Sequence, residues 1–464
     1  MFKDSRYVTA SRFPGACPGI PWGRVGLLVA LLLSSGFARS QDEPPPATIT
    51  DPAAGYDVIP TIRIEGEARR KIPIAIPDLS YDLNGGTGDE IAGTIRNVVR
   101  DDLDFSGYFH IVPAEYHDLI EGRGSRRVNY KEWLGIGAEA LLLGRVDATP
   151  SSVSFEGRVY DTTEKRMVLG KRYRGELELQ RRVAHKLSNE IIRQYTGQTG
   201  VAMTKIAFVS QVGRAKEIHV MDYDGARVKR LTANGAINLS PAWSPDGSRI
   251  AFVSYRTGFP QLVILNQKGE LEQTFPQHGE LNSAPAWSPD GRLLAFSSSR
   301  DENAEIYTLR VRDMRLTRLT RNPGIDTSPT WSPNGREIAF TSDRAGQPQI
   351  YIMDAEGANV RRLTFEVSYC DAASWSPLGD RIAFTARVPG GFDIFVKNLD
   401  TGELHQLTRN SNINEWPRWS PDGRHIAFAS NRTGSFDIYT ISFDGSREHR
   451  LTRGGNSYSP SWSR

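Results

Sequence analysis

The sequence predicts a two-domain protein, in which an N-terminal α/β domain precedes an all-β six-bladed propeller closed by the C-terminal strand. Three observations predict this fold class. Helical and extended patterns alternate from residue 57 to residue 195, a unit of 44 residues recurs from residue 205 onward, and the last tryptophan of the series is Trp462. Repeats of this length that carry several short strands each are typical of propeller blades.

Tryptophans and an apolar triplet mark the repeat. The tryptophans are Trp243, Trp287, Trp331, Trp375 and Trp419, each 44 residues apart, and Trp462. The triplet Ile/Leu-Ala-Phe begins at Ile206, Ile250, Leu294, Ile338, Ile382 and Ile426. Four of the tryptophans open the pattern Trp-Ser-Pro-Asp/Asn-Gly, and most units end with a Leu-Thr pair. Each unit therefore predicts four strands, of which the first carries the tryptophan and the second carries the triplet.

The Ser-Pro-Asp-Gly segment predicts a tight turn, because proline presets φ and glycine accepts positive φ. The recurring acids of this turn are Asp246, Asp290 and Asp422. We expect each carboxylate to accept hydrogen bonds from its own turn, and we prefer this role to a ring of metal ligands.

The two ends of the repeat predict how the ring closes. The first unit begins at Ile206 without a tryptophan strand of its own, whereas Trp462 has no triplet after it. The last residues can therefore supply the innermost strand of the first blade. Closure of this kind leaves no open edge between the first and last blades.

The region before the repeat predicts a compact α/β domain of mixed order. Strands are expected at 71–76, 109–112, 140–146, 153–160 and 167–173, and helices at 89–103, 130–134 and 179–195. The two longer helices show an apolar stripe at helical spacing. Gly197 is placed to end the last helix.

The N-terminus predicts export. A basic region up to Arg24 precedes an apolar run and then small residues, which is the order of a cleavable signal peptide. We divide the chain into a signal peptide at 1–40, a flexible leader at 41–56, the α/β domain at 57–195, a linker at 196–204 and the propeller at 205–464. Cleavage would remove Cys17 and leave Cys370 alone, so no intrachain disulfide is expected.

Composition and motifs argue against several functions. The formal charge is +3, but residues 1–40 carry +4, which leaves the remaining chain at −1 and without a bulk attraction for nucleic acid. The sequence has no Gly-x-Ser-x-Gly elbow and no His-Glu-x-x-His pair, so we expect no enzyme, no metal and no cofactor. The alternative is a propeller hydrolase or lyase, or a ligand-binding propeller, with its site in the central channel.

Arginines recur in the loop after the second strand. They are Arg256, Arg300, Arg344 and Arg432, with Arg387 one place early. An acidic or amide residue follows five positions later, or six positions after Arg387, so we expect bonds within this loop. The alternative is a basic ring that faces an acidic partner.

Strand alternation predicts where a partner would bind. The segments that enter the first strands share a face with the arginine loops, and the Ser-Pro-Asp-Gly turns lie on the opposite face. We expect the entering segments to be loops that surround the channel mouth. They are 238–241, 282–285, 326–329, 371–373, 414–417, which begins with Asn414, and 457–460.

The repeat and four runs in the N-terminal domain resemble the TolB family of the Tol–Pal system. The runs are 74–78 (Ile-Ala-Ile-Pro-Asp), 100–109 (Arg-Asp-Asp-Leu-Asp-Phe-Ser-Gly-Tyr-Phe), 135–139 (Gly-Ile-Gly-Ala-Glu) and 142–146 (Leu-Leu-Gly-Arg-Val). Similar propeller repeats occur in prolyl-oligopeptidase-like enzymes, but the order of signal, α/β domain and six blades resembles TolB. The resemblance implies a non-enzymatic periplasmic adaptor, expected to be a monomer, that supports outer-membrane integrity and invagination during cell division.

The resemblance also implies partners and residues. The mouth would bind Pal, the peptidoglycan-associated lipoprotein, and other outer-membrane lipoproteins are further expected partners, so that membrane association runs only through partners. His278, Ala284 and Thr327 match Pal-contacting positions, with turn packing as the alternative role of the last two. TolA would bind the N-terminal segment, by strand addition, through Val58, Ile59, Ile62 and Ile64.

Overall fold

The computed structural model describes residues 70–81, 88–120, 128–149, 151–275, 282–409 and 412–464. The predicted signal peptide, the flexible leader, the TolA-binding residues Val58, Ile59, Ile62 and Ile64, and His278 lie outside the described residues.

The N-terminal domain contains the predicted helices and strands. Its elements are β1 (Ile72–Ala75), β2 (Ser80–Tyr81), α1 (Gly88–Phe105), β3 (Phe109–Ile111), α2 (Ala114–His117), α3 (Tyr130–Gly135), β4 (Ala140–Ala148), β5 (Ser152–Asp161), β6 (Arg166–Glu176), a 3₁₀ helix (Leu177–Leu179) and α4 (Gln180–Thr196). The sequence did not predict β2 and α2, which are too short to show a period. The predicted end of α4 is confirmed, because Gly197 has φ of 72° and its N–H donates to the carbonyl oxygen of Arg193.

One mixed sheet organises this domain. Its order is β3-β1-β4-β5-β6, with β2 beside β4. The pairs of β1 with β3 and with β4 are parallel, whereas β4, β5 and β6 are antiparallel. Helices α1 and α4 pack on one face through buried apolar stripes that include Ile91, Ile95, Leu187 and Ile191. These stripes explain why the helices form there, since each buries one face against the sheet.

The described residues after the α/β domain form six four-stranded sheets, as predicted. In order from the innermost strand outward, blade 1 contains Ser457–Trp462, Lys205–Val212, Ala215–Asp222 and Lys229–Arg230; blade 2 contains Asn238–Trp243, Arg249–Ser254, Gln261–Asn266 and Leu271–Thr274; and blade 3 contains Asn282–Trp287, Leu293–Asp301, Asn303–Arg310 and Arg315–Arg318. Blade 4 contains Asp326–Trp331, Glu337–Ser342, Gln349–Asp354 and Arg361–Arg362; blade 5 contains Cys370–Trp375, Arg381–Val388, Gly391–Asn398 and Leu404–Gln406; and blade 6 contains Asn414–Trp419, His425–Ser430, Asp437–Ser442 and Glu448–Arg450.

Closure by the C-terminal strand is confirmed. The last strand pairs antiparallel with the strand that begins at Lys205, and Trp462 lies opposite Ile206. The N–H of Ser463 donates to the carbonyl oxygen of Lys205 at 2.8 Å. Blade 1 is therefore built from residues that lie at opposite ends of the repeat region.

Three of the repeated tryptophans form hydrogen bonds between neighbouring blades. The indole N–H of Trp287 donates to the carbonyl oxygen of Ala242 at 3.1 Å, and that of Trp331 donates to Ala286 at 3.2 Å. Trp419 makes the equivalent bond to Ser374 at 3.1 Å. Each of these tryptophans is buried, so its ring fills the space between blades while its polar atom is satisfied by the preceding first strand.

The predicted role of the turn acids is confirmed. Oδ1 of Asp246 accepts hydrogen bonds from Ser244 Oγ at 2.5 Å and from the N–H of Ser248 at 3.0 Å. Asp290 and Asp422 make the same bonds within their turns. The Ser244 hydroxyl, with Ser248, lowers the pKa of Asp246 to about 2. These carboxylates therefore stabilise the turns that join the first and second strands.

The predicted entering loops are wrong, because the first strand already begins at these residues. In each blade the pairing of first and second strands is interrupted by a bulge and then resumes. The bulge contains a residue with positive φ: Ser240, Ala284, Ser328, Ala372, Trp416 and Ser459. Proline follows five of the six, and a bulge accepts proline where a regular ladder would not.

Candidate functional site

The channel mouth is surrounded by the starts of the first strands and by the loops between the second and third strands. Arg256 is exposed in the loop of blade 2, and Arg300 is exposed near the end of the second strand of blade 3. Phe259, in the same loop as Arg256, has 55% of its surface exposed. A large apolar side chain beside exposed guanidinium groups is typical of a protein-binding surface. We call this surface, comprising Arg256, Phe259, Ala284 and Arg300, the mouth face.

Two of the loop arginines are held inside their own blades, although not by the predicted partners. Arg344 donates to Asp326 Oδ2 at 2.8 Å and to Ser342 Oγ at 2.8 Å. Arg432 donates to Asn414 Oδ1 at 3.0 Å. The prediction of bonds within the loop is therefore wrong here, since each arginine reaches the beginning of the first strand. The guanidinium of Arg344 also lies over the ring of Tyr351, 5.0 Å from its centroid.

The third-strand acids bind the fourth strand instead. Glu305 is buried and accepts hydrogen bonds from Arg318 at 2.9 Å and from the Thr320 hydroxyl at 2.5 Å. Equivalent bonds join Glu217 to Arg230 and Thr232, and Asp437 to Arg450 and Thr452. Their signal in the sequence is Arg-Leu-Thr, a longer form of the Leu-Thr pair. The sequence prediction instead paired Glu305 and Asp437 with the arginine five residues earlier, which is nearer along the chain.

The remaining predicted mouth residues differ in exposure. Ala284 is half-buried with φ of 50° in the bulge of blade 3. Thr327 exposes only 5% of its surface, and Asn414 is fully buried. A residue with positive φ often marks a functional site. Here such a residue recurs in the bulge of all six blades, so we attribute it to the architecture of the propeller and not to a function of Ala284 alone.

Two carboxylates occupy equivalent positions in neighbouring first strands that line the channel. Asp371 Oδ1 accepts a hydrogen bond from the Thr341 hydroxyl at 2.8 Å. Glu415 occupies the same position in blade 6, where burial, with the charge of Asp371, raises its pKa to about 7. Arg418 lies further along the Glu415 strand, and burial lowers its pKa to about 10. The channel thus combines a pair of acids with one half-buried cation.

A cavity of about 180 Å³ lies at the other end of the first strands, lined by the Trp-Ser-Pro segments of the blades and by Arg418. It is on the turn side of the ring and away from the mouth face.

Cys370 is fully buried in the first strand of blade 5, and burial raises the pKa of its thiol to about 12. The thiol therefore remains protonated and unreactive at neutral pH.

The end of α1 packs against blade 6. The ring of Phe105 stacks on His425 with centroids 3.9 Å apart. Arg424 donates to the carbonyl oxygen of Ser106 at 3.0 Å, and Arg447 donates to that of Asp104 at 2.7 Å. Burial lowers the pKa of His425 to about 4, so this ring is neutral at neutral pH.

Comparisons with known families cover most of the chain. Residues 60–168 match the TolB amino-terminal domain, and residues 192–464 match the TolB beta propeller domain. The second match alone spans more than half of the chain. The chain belongs to the TolB family. Among the described residues, no helix combines the length and the apolar character that a membrane span requires.

Eight curated relatives that match the chain are each called Tol-Pal system protein TolB. The protein of Desulfosudis oleivorans is 38% identical over 207 residues, which cover 44% of this chain and 45% of that protein. The protein of Cereibacter sphaeroides is 34% identical over 230 residues, or 48% of each chain. The chain thus spans about half the length of the curated relatives it matches.

A solved structure of TolB supports the complete fold. The crystal structure of TolB from Acinetobacter baumannii is 27% identical, with a TM-score of 0.72, and the match covers 85% of this chain and 97% of that one. The arrangement of an α/β domain before a six-bladed propeller is therefore shared with a TolB protein along almost its whole length.

Proposed function

We propose that this chain is a non-enzymatic adaptor of the Tol–Pal system that binds Pal through the mouth face of its propeller. The observation that carries the proposal is the mouth face itself, where Arg256, Arg300 and Phe259 are exposed beside the bulged start of blade 3. Membership of the TolB family supports the same role, because the curated relatives are named as Tol-Pal system proteins. Exposed cations beside an apolar anchor favour a partner with an acidic surface.

The setting of this function is part of the proposal. The signal peptide at 1–40 would deliver the chain to the periplasm, and the segment with Val58, Ile59, Ile62 and Ile64 would bind TolA. We retain 57–195 and 205–464 as the two domains on either side of the linker. By binding both Pal and TolA, the chain would connect these two proteins during cell division and help to keep the outer membrane intact.

The alternative of a channel enzyme receives less support from the residues that line the channel. The six first strands contain no histidine, and their acids are Asp326, Asp371 and Glu415. Asp326 is buried in its bond to Arg344. Two acids in adjacent blades are a sparse set for hydrolysis or elimination, which need a positioned base and a group that stabilises the developing charge.

Reversal of charge on the mouth face tests the proposal. We expect Arg256→Glu combined with Arg300→Glu to weaken binding of purified Pal at least tenfold, because two cations would become repulsive to an acidic partner. Isothermal titration calorimetry of the two purified proteins measures the change. Ala284→Arg is expected to weaken binding to a similar extent by adding bulk at the bulge.

A matched control lies on the opposite side of blade 3. Arg292→Glu makes the same replacement at one exposed residue directly after the Ser-Pro-Asp-Gly turn. It should leave Pal binding unchanged. If Arg292→Glu weakened binding and the mouth-face variants did not, with thermal unfolding unaltered in all of them, Pal would bind the turn side and the proposed surface would be wrong.

A further inference from the structure

A buried histidine lies where α4 packs against blade 1. His185 exposes 1% of its surface, and its Nδ1 lies 2.9 Å from Oδ2 of Asp102 in α1. The hydroxyl of Tyr223 donates to the other oxygen of Asp102 at 2.5 Å. Asp102 thus fixes the orientation of the imidazole and places a hydrogen on Nδ1, which leaves the lone pair on Nε2.

The Nε2 atom of His185 has no hydrogen-bond partner among the described residues. It faces Asp224 Oδ2 at 3.9 Å, which is too long for a hydrogen bond. Ligand atoms of His185, Asp222 and Asp224 all lie within 4.8 Å of one another. A buried polar atom without a partner is costly, so an imidazole aimed at two carboxylates indicates a missing ligand between them.

We propose that His185 Nε2, Asp222 and Asp224 form a binding site for a divalent transition-metal ion of the Zn²⁺ class. One imidazole and two carboxylates are ligands that suit this ion, and water can complete a tetrahedral shell. Asp102 would act on the other nitrogen of the ring, as outer carboxylates commonly do for metal-bound histidines. Because His185 lies in α4 and both acids lie in blade 1, the ion would join the two domains.

Nearby cations compete for the same carboxylates. Arg181 forms an ion pair with Asp224, and Arg227 Nε donates to Asp222 Oδ2 at 2.6 Å. Lys205 Nζ lies 3.6 Å from Asp222 Oδ1. These side chains are 30%, 45% and 42% exposed, so each can turn toward water when an ion binds. Metal binding would therefore replace a flexible cationic side chain beside the carboxylates with a fixed ion. The affinity of the site for the metal should rise when Arg181 is removed, because one competing cation is then lost.

Titration of the tag-free full-length protein with Co²⁺ tests the site, because tetrahedral Co²⁺ absorbs visible light when protein ligands surround it. We expect a single strong site that Zn²⁺ displaces, and a rise in the thermal unfolding temperature on addition of Zn²⁺. Asp224→Asn should weaken binding at least tenfold. Arg181→Gln should strengthen it severalfold, which a merely structural role for Asp224 would not produce.

Asp444→Asn is the matched control. Asp444 occupies the turn position of blade 6 that Asp224 occupies in blade 1, and its Oδ1 accepts a hydrogen bond from the N–H two residues later at 2.9 Å, as that of Asp224 does at 3.0 Å. Its replacement should leave metal binding unchanged. The proposal is overturned if no Co²⁺ or Zn²⁺ binds, or if binding persists unaltered in Asp224→Asn and therefore occurs elsewhere, for example at Asp371 and Glu415.

Discussion

The pKa of Glu415 reflects the environment of this side chain in the folded protein. In the unfolded chain its carboxyl has an ordinary pKa near 4.5, whereas burial in the channel wall beside Asp371 raises the pKa to about 7. The folded protein therefore holds a proton that the unfolded chain releases between these two values. Since the raised pKa belongs to an acid, stability contributed by this group is full below about pH 4.5 and is lost as pH rises to about 7.

The replacement Glu415→Gln keeps the neutral form at every pH. We expect its free energy of unfolding to exceed that of the natural protein by about 1–2 kcal/mol at pH 8, with the difference vanishing near pH 4.5, because one pKa unit corresponds to about 1.4 kcal/mol and channel water screens part of the effect. Urea unfolding at the two pH values measures this. Glu356→Gln, at an exposed position, should show no such dependence; an equal gain at both pH values would disprove the buried proton.

The blade is held together by a repeated connection between its third and fourth strands. In blade 3, Glu305 is 1% exposed and binds both Arg318 and Thr320, while the N–H of Ile306 donates to the Thr320 hydroxyl at 2.9 Å. Short outer strands make few ladder bonds of their own. The connection therefore fixes the outer strand to the rest of the blade, and it explains why Arg-Leu-Thr recurs.

Removal of the central acid should be costly. We expect Glu305→Ala to lower the free energy of unfolding by about 3–5 kcal/mol, because the buried threonine hydroxyl and the arginine lose their partner together. Chemical denaturation followed by circular dichroism measures the loss. Glu356→Ala, an exposed acid in blade 4, is the control and should change stability by less than about 0.5 kcal/mol. A similar small effect at Glu305 would mean that the connection contributes little.

Closure of the whole ring depends on the last strand of the sequence. Ser457–Trp462 supplies the innermost strand of blade 1, and it buries Tyr458 and Trp462. Without it, the strand that begins at Lys205 would expose an edge toward the channel. An exposed edge costs hydrogen bonds and invites pairing with other chains.

Truncation after residue 456 tests closure at this scale. Burial of two large aromatic side chains alone contributes roughly 2–3 kcal/mol each, so we expect a loss of more than about 5 kcal/mol together with self-association. Thermal unfolding and size-exclusion chromatography measure the two effects. Removal of Arg464 alone, which is exposed, should leave both unchanged. A truncated chain that stayed monomeric and equally stable would show that the last strand is not needed to seal the ring.

The sequence by itself determined the six blades and their closure, because these follow from local periodicity and turn chemistry that recur every 44 residues. It also determined the longer helices and strands of the α/β domain, because each of these shows a period of its own. Only the tertiary structure decided which acid each arginine binds, that the first strands begin with a bulge, and that His185 meets Asp102 and Tyr223. Asp102 lies 83 residues from His185 and 121 from Tyr223, so no local pattern links them. Such contacts depend on how separate elements pack. The sequence offers several acids of the same chemistry for each arginine or histidine, and only the packed structure shows which of them lies within hydrogen-bond distance.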